Sequence, residues 1–98
     1  MTPEQPVTDP IEKTRLAPRY KVLIHNDNET TMGFVVAVLS SIFSLNGNAA
    51  LQVMTEAHHK GIALVGVYAF EQAEFRVEQA HSIARTQGFP LTFTYEPE

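Results

Sequence analysis

Ninety-eight residues, 44% hydrophobic and 18% charged, suit one globular domain with a single modest core. A formal net charge of −4, with Lys and Arg scattered along the chain, argues against a nucleic-acid binder, which needs clustered cations for phosphate contacts. The absence of cysteine excludes a disulfide framework, a thiolate zinc site and a cysteine nucleophile. No run approaches the roughly 20 apolar residues of a membrane span, and "MTPEQPVTDP" lacks the basic and apolar regions of a secretory signal, so a cytoplasmic protein without membrane partners is expected.

Residues 1–18 hold four of the six prolines, Pro3, Pro6, Pro10 and Pro18. They offer too little apolar area to offset the entropy of ordering, so a flexible tail is expected, with the folded domain over residues 19–98. "YKVLIH" at 20–25 is rich in β-branched and aromatic residues and predicts a strand. Met32, Val35, Val36, Leu39, Ile42 and Phe43 recur at helical spacing and predict a helix with one apolar face, capped by Thr30. "SLNGN" predicts a turn. A second helix is expected over 48–60, with His58, His59 and Lys60 in its last turn and Gly61 beyond its end, all favourable there.

"IALVGVYA" at 62–69 is the most apolar run and predicts a strand buried on both faces. Phe70, Ala73, Val77, Ala80, Ile83 and Ala84 mark a third helix, closed by Gly88. Leu91, Phe93 and Tyr95 alternate along a half-buried final strand. The order β-α-α-β-α-β predicts a single small α+β domain, three helices packed on a three-stranded, mainly antiparallel sheet. Two helices in succession are incompatible with the repeating βα unit of a dinucleotide fold.

Signs of catalysis are few. The chain has no Gly-rich phosphate loop, no His-Glu-x-x-His helix and no Gly-x-Ser-x-Gly elbow. His58 and His59, as neighbours on a helix, point about 100° apart and do not face one ion together, so neither a metal nor another cofactor is expected. His81 reads as a solvated helix residue. The stretch "IHNDNETTM" is denser in acceptors than a simple turn requires. Asn26 and Asp27 offer oxygen acceptors at the mouth of a helix, a receptor for a cation or a donor-rich group. An Asx-turn with a helix cap uses the same residue types, and both readings stand at this point.

"YKVLIHNDNETTMGFVVAVL", "VMTEAHHKGIALVGV" and "GFPLTFTYE" together resemble the ClpS adaptor family over residues 20–96. The resemblance implies a non-catalytic monomeric adaptor that binds the free, bulky hydrophobic N-terminal residue (Phe, Tyr, Trp or Leu) of N-degron substrates. Delivery would be to a Clp-type AAA+ unfoldase of the ClpA or ClpC class. It further implies that Asn26, Asp27 and His58 hold the α-amino group, with Asn28 and Thr30 beside the peptide backbone. Met32 would gate a pocket walled by Val35, Met54, Ala57 and Leu91, and Glu71, Glu74 and Arg76 would meet the unfoldase. The proline-rich tail resembles the extension used in handover. If a ring nitrogen of His58 accepts from the ammonium, its imidazole must be neutral and binding should weaken on acidification.

The chain departs from the family pattern at several positions. Asn28 replaces an acid, Thr31 a proline, Gly33 a glutamate and Ala57 a common valine. These changes imply weaker amine binding, a looser first helical turn without a capping box, and a roomier pocket. His25 stands where an apolar residue is usual and is expected on the opposite sheet face from Ile24. The competing readings are a small acid/base or metal-dependent enzyme using Asp27 and His58, and a domain that binds a partner through its third helix alone.

Overall fold

β1 (Arg19–His25) forms the middle of a three-stranded sheet of order β2-β1-β3, with β2 (Ile62–Ala69) and β3 (Thr92–Pro97) both antiparallel to it. Between β1 and β2 come α1 (Met32–Ser41) and α2 (Gly47–Lys60), and α3 (Phe70–Thr86) joins β2 to β3. The structure, a computed structural model, describes residues 18–98. The expected tail lies outside the described residues except for Pro18, whose carbonyl accepts from the Phe70 amide at 3.2 Å. Among the described residues no helix is long and apolar enough to cross a membrane. The predicted α+β architecture is the observed one.

The core follows from strand and helix periodicities meeting on one sheet face. Val22 and Ile24 of β1, Ala63 and Val65 of β2 and Phe93 of β3 are buried beneath Val38, Leu39, Ile42 and Phe43. Phe43 and Phe93 pack with ring centroids 4.9 Å apart and planes tilted by 32°, and each such buried ring contributes roughly 1.5–3 kcal/mol. α3 lies on the sheet through Ala73, Val77, Ala80 and Ala84. Its small side chains allow close approach, whereas Phe70 and Ile83, expected on the same face, sit at its margin and are partly exposed.

The structure corrects several local expectations. β2 is an edge strand with only one face in the core, so Ile62 and Leu64 face outward, Leu64 46% exposed. Its apolar run therefore does not mean burial on both sides. The register slips between Val22 and Leu23, which pair with Gly66 and Leu64, leaving Val65 as an extra residue turned into the core. Thr31, not Thr30, caps α1. Its backbone is extended and its hydroxyl accepts from the Phe34 amide at 3.2 Å, while the Thr30 hydroxyl donates to Asp27. The turn before α2 ends in a true N-cap, Asn46, whose side chain accepts from Ala49 N–H at 2.8 Å.

Candidate functional site

At the end of β1 the chain leaves the sheet and crosses to the C-terminal end of α2. The Asn26 amide donates to the Gly61 carbonyl at 2.9 Å. Gly61 ends α2 in a left-handed conformation, φ 88°, with its own amide donating to Ala57. This junction brings the acceptor-rich loop beside the last turn of α2, which carries His58. α1 begins a few residues later and adds Met32 and Val35, and Leu91 enters from the approach to β3.

The result is one hollow of about 230 Å³. Asn26, Asp27, Asn28, Thr30 and His58 line it together with Met32, Val35, Met54, Ala57 and Leu91, alongside Ile24 and His25. Every residue that the family resemblance assigned to the amine, the peptide backbone or the side-chain pocket is thus found around a single space. Val35, Ala57 and Leu91 are buried and make an apolar floor, while Asn26, Asn28 and His58 are exposed at the rim. Met32, 52% exposed, lines the hollow from the first position of α1. An apolar cavity of about 150 Å³ accommodates a benzene, so this space is of the right order for one aromatic side chain and the backbone atoms attached to it.

Asp27 serves its own loop. Its Oδ1 accepts from the amides of Glu29 and Thr30 at 2.8 and 2.7 Å, and its Oδ2 from the Thr30 hydroxyl at 2.8 Å. The Asx-turn that composition allowed is therefore present, on the wall of the hollow. Burial pushes the Asp27 carboxyl up, but the Thr30 and Glu29 amides, the Thr30 hydroxyl and the Arg85 guanidinium outweigh it and hold the group below its ordinary range. The ionised carboxylate has about four lone-pair sites, so little of its accepting capacity remains for a ligand, although its charge still faces the space.

His58 and His59 meet edge to face, with ring centroids 5.4 Å apart. Among the described residues no group of three or more His, Cys, Asp or Glu side chains is placed to hold a metal. His25 turns to the outer sheet face, where its Nε2 lies 2.8 Å from Thr94 Oγ1. Glu71, Glu74 and Arg76 lie on α3, away from the hollow. Arg76 is already committed, its Nη1 donating to the Ile42 carbonyl at 2.7 Å and its guanidinium lying 5.1 Å from the Tyr68 ring centroid.

Sequence reasoning missed two residues near the site. His81, expected in solvent, is half-buried, and its Nε2 accepts from the Phe93 amide at 2.9 Å, satisfying an N–H of edge strand β3. Burial and then the Arg85 charge hold its imidazole below the usual range. Arg85 reaches from the last turn of α3 to the carbonyls of Phe89 and Leu91 at 2.7 and 3.0 Å. Neither role is visible in helical spacing, since each depends on which strand comes to lie beside α3.

The fold and hollow define a small α+β binding domain, with acceptors around the mouth of one apolar slot. A family model described as ATP-dependent Clp protease adaptor protein ClpS matches residues 15–94. The Clp protease adapter protein ClpS of Desulfatibacillum aliphaticivorans is 44% identical over 92 residues, covering 94% of this chain and 88% of that protein. That of Lawsonia intracellularis is 47% identical over 85 residues, covering 87% and 78%. A solved structure of Agrobacterium tumefaciens ClpS2 bound to L-phenylalaninamide matches with a TM-score of 0.80 at 38% identity, covering 84% of this chain and 99% of that one. This chain belongs to the ClpS family of Clp protease adaptors.

Proposed function

We propose that the hollow receives the first residue of a substrate polypeptide, its α-ammonium among Asn26, Asp27 and His58 and its side chain between Val35, Met54, Ala57 and Leu91. The observation that carries this is the mixed lining of one space, polar acceptors at the rim above an apolar floor. An ammonium brings three donors and a charge, and needs convergent acceptors with an anion nearby. Asn26 and His58 supply the direct acceptors, while Asp27, spent on its own turn, acts through its charge. The relative solved with L-phenylalaninamide binds a Phe side chain beside a free α-amine, the same pair of groups that the hollow is proposed to receive.

Hydrogen bonds to a charged group contribute about 1.5–3 kcal/mol each, and burying a Phe- or Leu-sized side chain roughly as much again. After the cost of association, affinity falls in the roughly micromolar range, suited to an adaptor that must release its cargo. The captured chain then passes to a Clp-type AAA+ unfoldase that docks on α3 around Glu71 and Glu74, with residues 1–17 serving as the tether in handover. The enzyme reading draws less support, because Asp27 spends most of its accepting capacity on its own turn and its lowered proton affinity makes it a poor general base.

The test is titration calorimetry with a peptide that begins with free Phe and with its N-acetyl form. Acetylation deletes the charge and leaves the ring, so the acetylated peptide should lose nearly all binding. Equal affinities would end the proposal.

A further inference from the structure

Resting on that reading of the hollow, we infer that Arg85 is the positioning residue of the Leu91 wall, and that its hold on the 89–91 segment sets how well the slot separates aromatic from aliphatic first residues. After α3 the chain doubles back, with Gly88 at φ 78° and the Phe89 amide donating to the Ala84 carbonyl at 2.9 Å. The segment that follows carries Leu91 into the slot. Its Phe89 and Leu91 carbonyls lie outside the β1–β3 ladder and are both gripped by the same Arg85 nitrogen, Nη1. Bonding carbonyls two residues apart, across the rigid Pro90, fixes both peptide planes and hence the direction of the Leu91 side chain.

The grip extends to the mouth of the slot. The Phe89 ring lies 5.0 Å from that of Phe34, which sits in the first turn of α1 between Met32 and Val35. Arg85, the 89–91 segment and the start of α1 therefore form one connected body around the slot. Leu91 is only 1% exposed, so a displacement of its segment changes the shape of the slot rather than being lost to solvent. Among the described residues Arg85 makes no ion pair within 4 Å, so its contacts at hydrogen-bond distance are with the two carbonyls, while its charge reaches Asp27 and His81 from further away. Lysine would keep the charge but replace a planar donor of fixed direction with a rotating ammonium.

The test compares wild type with Arg85→Lys, Arg85→Gln and a control, Ser82→Gly, which weakens the exposed side of the same helix. Affinities are measured for peptides beginning with free Phe, free Leu and acetylated Phe, and Leu91 methyl resonances are recorded without peptide. Both Arg85 variants should shift the Leu91 methyls and lower affinity for the Phe peptide by about fivefold. They should also change the Phe-to-Leu affinity ratio. Arg85→Lys, which keeps the charge felt by Asp27, should leave the loss on acetylation as in wild type, and Ser82→Gly should lower the melting temperature with the ratio unchanged. Unmoved Leu91 methyls, or a wild-type ratio in folded Arg85→Lys, would overturn the inference. Should wild type bind neither peptide, the reading of the hollow fails and the discrimination with it, whereas the Leu91 resonances alone still decide whether Arg85 positions the wall.

Discussion

The amide of Asn26 and the carbonyl of Gly61 are joined at 2.9 Å, and through that bond the end of β1 is fastened to the end of α2. Asn26 and His58, which come from different parts of the chain, share the rim of one hollow because of this junction. It depends on a residue that can take φ 88°.

Gly61→Ala should therefore damage both the fold and the site. A Cβ at this position meets nothing within 4 Å, so the cost is torsional, about 1–2 kcal/mol for a left-handed Ala. In a domain of this size that lowers the melting temperature by about 4–16 °C, read by scanning calorimetry. Affinity for a Phe-initiated peptide should fall in parallel; an unchanged melting temperature would show that the turn is not under this constraint.

Asn28→Asp adds an anion to the exposed rim of the hollow. An exposed charge pair contributes about 0.2–1 kcal/mol, so affinity for a free-amine peptide should rise up to about fivefold at low salt. The gain should fade toward 1 M salt, where the Debye length is about 3 Å. Titration across a salt series gives the answer, and equal slopes for the two proteins would remove position 28 from the electrostatics of the site.

His81 makes stability pH-dependent. Burial, then the Arg85 charge, lower its affinity for a proton in the folded state, and the Phe93 amide can be accepted only by an unprotonated nitrogen. As pH falls below about 6.5 the unfolded chain takes up this proton first, so a contribution present at neutral pH is lost progressively on acidification. His81→Gln should flatten the dependence of melting temperature on pH between 7 and 5. A slope identical to wild type would assign the acid sensitivity elsewhere.

Arg76 and Glu71 should separate under mutation, although both were assigned to the same partner face. Arg76→Ala frees the Ile42 carbonyl at the end of α1 and should cost about 1–3 kcal/mol in denaturant unfolding, with peptide affinity unchanged. Glu71 is exposed in the first turn of α3, and Glu71→Gln should cost no more than about 0.5–1 kcal/mol while weakening unfoldase binding. Wild-type unfoldase binding by Glu71→Gln would point to a different docking face.

Much of this protein was legible in the order of its residues. Helical spacing marked Val35, Leu39 and Ile42 and the Ala73–Val77–Ala80–Ala84 stripe, alternation marked Leu91 and Phe93, and these patterns suffice for the β-α-α-β-α-β order because each arises within a few residues along the chain. The family resemblance named the residues around the hollow, where composition alone favoured an Asx-turn with a helix cap over a receptor. Tertiary structure decided the rest. It made β2 an edge strand with Leu64 in solvent, gave Asp27 to its own turn and the capping of α1 to Thr31, and turned His81, Arg76 and Arg85 toward backbone groups far from them in sequence or outside any repeat. Periodicity reports which face of an element is apolar, but the partner of a polar side chain is set by whichever unpaired carbonyl or amide the packed elements bring within about 3 Å of it.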